Sequence, residues 1–193
     1  MNWNAAFTIV VSVLLALAGY GATYLNNLRL DRRKDRLDRV DRQLRDLYGP
    51  LLALASAGDA AWQAFRSINR PGGTPYWHDL ELPTPAEVAA WRLWIREVFM
   101  PVNEQIVDAV TQHADLLIES EMPQCLLDVC AHVAAYRPII KEWQGDRLTD
   151  AVAANTSVIN FPSEALRDYA SSSFTKLKAE QNSLLGKSRA GNE

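Results

Sequence analysis

The side chains in this 193-residue chain that could hold a zinc-type metal are His78, His113, His132, Cys125 and Cys130. Such a site needs two ligands on one helical face, as H-x-x-H or H-E-x-x-H supplies, and neither pattern occurs. Cys130 and His132 are two apart, and Cys125 and Cys130 five apart. On a helix both offsets turn the side chains in different directions, so neither a metal site nor an intrachain disulfide is expected from them. Buried thiols and a satisfied core histidine account for the same residues, and reduced thiols suit a cytoplasmic address. Nucleophilic chemistry has no better footing: there is no G-x-S-x-G, and the serine run at 171–173 falls in a helical pattern. Gly72-Gly73 lacks the strand before it and the Lys after it that a phosphate-cradling loop requires. Glu97, Glu104 and Asp108 recur at helical spacing without an E-x-x-H partner, which is the pattern of a solvated helix face. His78 beside Asp79 is the one remaining acid-base pair, and adjacency in sequence does not make a hydrogen-bonded pair. No catalytic residue, metal ligand or cofactor is assigned, and the expectation is a protein that works by binding.

The elements that would position these residues are helical nearly throughout. Strand alternation is nowhere sustained, so the expected class is all-α. Residues 1–28 carry no charged side chain, and the next eighteen carry thirteen. The stretch 5–25, AAFTIVVSVLLALAGYGATYL, is enough helix to cross a hydrocarbon layer of about 30 Å at roughly 1.5 Å per residue. A single membrane-spanning helix is expected there. Trp3 lies at one end of the span, and Tyr20 and Tyr24 at the other, where amphipathic rings anchor. The flank before it has no Lys or Arg, whereas Arg29, Arg32, Arg33, Lys34 and Arg36 follow it. The positive-inside rule therefore puts the N-terminus out and the C-terminal domain in the cytoplasm, a single-pass plasma (inner) membrane topology. The rival is a cleaved signal peptide, since Ala16-Leu17-Ala18 has the form of a cleavage site. Against it stand the missing basic n-region and an apolar run that continues past the site.

Charge is divided unevenly beyond the span. Residues 29–46 hold eight basic and five acidic side chains, net +3, and residues 47–193 are net −6. The basic stretch reads as a juxtamembrane helix over 29–49, stiffened by acid-first pairs such as Asp35 and Arg39 or Asp38 and Arg42. Arg29, Arg32, Arg33, Lys34 and Arg36 are candidates for contact with anionic lipid, at ~1 kcal/mol each near a negative leaflet, or else simply fix topology. Nucleic acid is disfavoured, because interleaved Asp residues cut the net charge and no aromatic platform accompanies it.

A heptad register through Ser12, Ala16, Gly19, Thr23, Leu30, Leu37, Val40, Leu44 and Leu47 gives one seam, small in the apolar part and mostly branched aliphatic in the charged part. Two readings stand side by side: a parallel homodimer along the seam, or docking of its aliphatic side on the chain's own C-terminal helix.

Residues 50–185 form the expected helical bundle, and 186–193 a disordered tail. Gly49-Pro50 predicts a kink or corner. The helix from Pro50 buries Leu51, Leu54, Trp62, Phe65 and Ile68. Residues 70–83 form a long irregular loop that could serve an enzyme alternative through Tyr76-Trp77-His78-Asp79. Thr84-Pro85-Ala86-Glu87 is a capping box. Pro101 breaks or kinks the helix it opens. Leu126, Leu127, Val129, Val133 and Ala134 make the helix from Gln124 buried on most sides, and Leu166, Ala170, Leu177 and Leu184 mark the apolar stripe of the last helix.

The run Gln43-Leu44-Arg45-Asp46-Leu47-Tyr48-Gly49-Pro50-Leu51-Leu52, of the form QLxxLYGPLL, together with residues 62–66, 91–101 and Ile159-Asn160-Phe161-Pro162, resembles a group of uncharacterised bacterial proteins with one N-terminal membrane helix. The resemblance implies a bacterial plasma membrane location and carries no activity, cofactor or site. The expected function is that of a membrane-anchored cytoplasmic interaction or scaffolding module, touching membrane lipid and an unidentified protein partner.

Overall fold

The computed structural model describes residues 3–71, 83–143 and 155–189, with the side chains of 3–6, 8–11, 13 and 187–189 left outside the description. Among the described residues there is no strand, and six α-helices follow in order: α1 (Trp3–Arg42), α2 (Gly49–Asn69), α3 (Pro85–Trp94), α4 (Met100–Gln112), α5 (Gln124–Glu142) and α6 (Ser163–Arg189). Two compact units divide the chain, Met1–Asp41 with Gln181–Glu193, and Arg42–Glu180.

In the first unit α1 runs as one helix through both the apolar and the charged stretch. Among the described residues no helix is long and apolar enough to cross a membrane. Seven side chains of the expected span, at 5, 6, 8–11 and 13, lie outside the description. The charged part of α1 meets the end of α6. The Arg33 guanidinium donates to the Leu184 carbonyl, and Gln181 Nε2 donates to Asp41 Oδ1 at 2.7 Å. α6 stays helical through Arg189, past the expected fraying point at Gly186.

Prolines shape the second unit in a way their usual effect does not anticipate. Pro50 and Pro101 lack an N–H, and their rings crowd the carbonyl four residues back. The chain answers both with a π-helical turn, Gln43–Tyr48 before Pro50 and Ile95–Phe99 before Pro101. The Gly49 N–H reaches back five residues to the Leu44 carbonyl, and the Met100 N–H to that of Ile95. The helix is thus widened by one residue rather than broken, so of the expected kink or corner at Gly49-Pro50 the corner is not seen, and of the expected break or kink at Pro101 the break is not. Gly49 is fixed by close approach: a Cβ there would lie 2.5 Å from the Leu44 carbonyl oxygen.

Two clusters form the core. Leu51 and Ala55 of α2, Ile106 and Val110 of α4, Leu126 and Val129 of α5, and Leu166 and Ala170 of α6 pack together. Their spacings of three and four residues keep each pair on one face. The second cluster joins Phe65, Trp91, Ile95, Met100, Val133, Tyr136 and Trp143. At about 25 cal/mol per Å² of apolar surface, these aromatic side chains carry much of the burial energy.

Two burial expectations fail. Ile68 is 70% exposed, because it stands about 100° around the helix from Leu51 and off the buried stripe. Leu127 is 46% exposed and Ala134 is exposed, so α5 buries one face only. α5 also continues through Pro138 to Glu142.

The start of α3 follows the capping-box expectation in full. Thr84 is extended, its Oγ1 accepts from the Glu87 N–H at 3.3 Å, and Glu87 Oε2 accepts from the Thr84 N–H at 2.7 Å. Arg70, the buried C-cap of α2, donates from Nε to Glu87 Oε1 at 3.0 Å and so ties the end of α2 to the start of α3. Burial raises the Glu87 pKa, but the Thr84 N–H, the Arg70 guanidinium and the Thr84 hydroxyl together outweigh it and hold the carboxyl below its ordinary value.

Candidate functional site

The Arg42–Glu180 unit holds a half-open pocket of about 400 Å³, walled by α2, α3, the second π-turn, α4, α5 and the segment 156–163. One wall is aromatic. Trp62 meets Trp91 edge-on at 6.0 Å between centroids and Phe99 at 6.0 Å, while stacking on Phe65 at 5.8 Å. Such offset and edge-to-face pairs are the favourable geometries, and they leave the ring faces little freedom to collapse into the space. Ile95 and Met100 add aliphatic surface. The second π-turn supplies Ile95 and Phe99 directly, so the widening ahead of Pro101 sets where those two side chains fall on the wall.

On another wall His132 meets Tyr136 and Phe161, each edge-on at 5.4 Å. His132 Nδ1 lies 2.6 Å from the Ile159 carbonyl oxygen. A carbonyl can only accept, so the proton belongs on Nδ1 and Nε2 is left as an acceptor. Burial lowers the imidazole pKa more than the Ile159 carbonyl raises it, which keeps the ring neutral near pH 7.

Asn155, fully buried, fixes one side of the site. Its carbonyl accepts from Trp91 Nε1 at 2.7 Å and from the Tyr136 hydroxyl at 2.5 Å. Its Oδ1 accepts from Arg92 Nε at 2.8 Å, and the Arg92 guanidinium lies over the Trp143 ring, 5.2 Å from its centroid. Burial, then the neighbouring Arg96 charge, lowers the Arg92 pKa, and the group remains a cation held by acceptors. One asparagine thereby orients two side chains of the pocket wall.

Asn103 is the exception to this satisfaction. It lines the pocket at 8% exposure, and its carboxamide makes no hydrogen bond among the described residues. An unmet buried polar group costs about 1–3 kcal/mol, so its retention calls for an explanation. A signal for it was present in sequence: Met100, Asn103, Ile106 and Val110 occupy one buried row of α4, with asparagine where the period calls for an apolar residue. At the rim, the Asp59 carboxylate is paired with Arg167 Nη1 at 2.6 Å.

A second polar line runs through Tyr48 and Tyr169. The Ile118 N–H donates to the Tyr48 oxygen at 3.0 Å, the two hydroxyls lie 3.0 Å apart, and Tyr169 donates to Glu119 Oε2 at 2.9 Å. Since Tyr169 spends its proton on the carboxylate, Tyr48 donates to Tyr169. Burial, above all, raises both phenol pKa values, so the line remains protonated and fastens the first π-turn and α6 to the connection after α4.

The residues singled out from sequence are dispersed. Cys125 and Cys130 are free, half-buried thiols whose pKa values burial raises. Among the described residues no group of three His, Cys, Asp or Glu could hold a metal ion. Glu104 pairs with Arg137 at 3.3 Å, and Glu97 and Asp108 are exposed. His78, with Tyr76, Trp77 and Asp79, lies outside the described residues, as does Gly72-Gly73. Arg29, Arg32, Lys34 and Arg36 are exposed on α1, and Arg33 is half-buried. Along the seam, Ser12, Ala16, Gly19, Thr23 and Leu30 are exposed, Leu37 is half-buried, and Val40, Leu44 and Leu47 are buried, the last two in the core of the Arg42–Glu180 unit.

Fold and site together define an all-α helical bundle with an aromatic-walled pocket. No protein-family model matches the chain, and neither a curated protein nor a solved structure does.

Proposed function

We propose that this chain is a membrane-anchored module that works by binding, as an interaction or scaffolding unit, with α1 crossing the plasma membrane, its N-terminus outside, and the Arg42–Glu180 bundle in the cytoplasm. The observation that supports the reading is the exposure of α1. Phe7, Leu14, Leu15, Leu17, Tyr20, Tyr24 and Leu25 are between 55% and 74% exposed. They spread over about 220° of the helix circumference, and the remaining arc holds Ser12, Ala16, Gly19 and Thr23, which are exposed too, the pattern of a helix covered by something other than its own chain. The sequence supplies the length, an uncharged 5–25, and the orientation, a basic flank on one side only. Arg29, Arg32, Lys34 and Arg36 then lie at headgroup depth for anionic lipid. Pairing with a second copy is the further reading that one observation favours: Ser12, Ala16, Gly19 and Thr23 present small side chains on an exposed face, and nothing lies within 4 Å of a Cβ added at Gly19.

The test is alkaline carbonate extraction of membranes carrying the full chain or the variant Leu14→Lys, Leu15→Lys, Leu17→Lys. Each lysine at the bilayer centre costs about 2.5–3.5 kcal/mol. The full chain is expected in the pellet and the variant in the supernatant; the full chain in the supernatant refutes the anchor.

A further inference from the structure

The unmet carboxamide of Asn103 faces a pocket that its neighbours hold open, and the chemistry of the walls restricts what could fill it. At about 400 Å³ the space falls within the range of small-molecule sites, about 300–1,000 Å³. Trp62, Trp91 and Phe99 offer flat π surface, which suits a planar ring system. Charge selects next. Among the described residues the lining holds no Lys or Arg to meet an anion, and its one carboxylate, Asp59, is paired with Arg167 and is a poor counter-ion for a cation. His132, engaged through Nδ1 by the Ile159 carbonyl, presents only an acceptor. The ligand is therefore neutral. A primary carboxamide displays a donor and an acceptor side by side, and a second amide edge of cis geometry, an N–H next to a C=O in a ring, meets both at once.

We propose that this pocket binds a neutral, planar, fused-ring aromatic molecule bearing a lactam edge, which pairs with the Asn103 carboxamide while its rings lie against Trp62, Trp91 and Phe99. The ring faces supply affinity and Asn103 supplies selection, since an analogue without the N–H leaves the buried carboxamide oxygen unmet. A second donor on the ligand would be met by His132 Nε2. The pocket lies wholly within the Arg42–Glu180 unit, so this inference stands independently of the membrane reading.

The experiment is calorimetric titration of the full chain in detergent with three probes: quinolin-2-one, its N-methyl derivative, and naphthalene-2-carboxylate, with empty micelles subtracted. Quinolin-2-one is expected to bind at one site per chain, at least tenfold more tightly than either other probe. Asn103→Leu is expected to remove most of the discrimination between the two lactams while both continue to bind through ring contact. The comparison of probes on the unaltered chain needs no variant to fold. Equal affinity for the two lactams, tighter binding of the carboxylate, or no saturable binding of quinolin-2-one overturns the proposal. Full discrimination surviving in a folded Asn103→Leu chain overturns the assignment to Asn103.

Discussion

Removing the Asn155 side chain tests the reasoning about buried charge most sharply. In Asn155→Ala the backbone carbonyl that holds Trp91 and Tyr136 is retained, and the Oδ1 acceptor 2.8 Å from Arg92 Nε is lost. Arg92 is 6% exposed, so little water can replace that oxygen. Hydrogen bonds to charged groups contribute about 1.5–3 kcal/mol, and the small void adds to the loss, for a total of about 2–4 kcal/mol. For a chain of this size that corresponds to a fall in the thermal midpoint of roughly 4–16 °C. Tyr136→Phe is expected to cost less, about 1 kcal/mol, because the carbonyl it leaves still accepts from Trp91. The discriminating assay is a double-mutant cycle read by thermal unfolding of the full chain in detergent. With Arg92→Met in place the charge-assisted hydrogen bond to Oδ1 is already absent, and Asn155→Ala should then cost at least about 1 kcal/mol less than it does beside arginine. Equal losses in the two backgrounds would refute the argument that the cost is that of a buried charge.

The first π-turn makes Gly49→Ala destabilising by about 1–3 kcal/mol in equilibrium unfolding, although Gly49 has helical φ and ψ and helix propensity alone would have alanine stabilise by about 1 kcal/mol, because the new Cβ would meet the Leu44 carbonyl oxygen. Thr84→Ala removes the acceptor of the Glu87 N–H and should lower stability by about 1 kcal/mol in the same measurement, with Thr84→Ser close to the parent. His132 carries a pH signature. Its folded pKa lies below the ordinary 6.5, so the unfolded chain binds the proton first as pH falls; its contribution is complete above 6.5 and is lost as pH falls from there toward the depressed folded value. The thermal midpoint should drop as pH falls through and below about 6.5, and His132→Gln should flatten that drop.

How much of this was legible in sequence depended on whether the cause was local. The capping box at Thr84 was readable because both of its bonds join residues three apart, and the α6 stripe because one period governs it. The prolines were visible, but their consequence was not: whether a helix breaks or widens depends on what packs around it, and Leu44 and Leu47 are held in the core. Ile68 and Leu127 misled because an apolar residue near the stripe edge is buried only if a neighbouring helix reaches it. The polar residues that shape the pocket were the least legible. Asn155 acts on Trp91 and Arg92, more than sixty positions away, and no spacing rule connects them. Asn103 alone left a trace, as a polar residue in an apolar row.

The membrane-anchored reading rests on α1, and a cysteine scan tests it most directly. With Cys125 and Cys130 replaced by serine, single cysteines placed from Ala5 to Arg33 are exposed in sealed membranes to a membrane-impermeant maleimide from either side. The account predicts an unreactive run of about 20 positions spanning 5–25, with the positions after Asn27 labelled only from the cytoplasmic face. Labelling that recurs every three or four residues through 5–25, or that is uniform along α1, would contradict it.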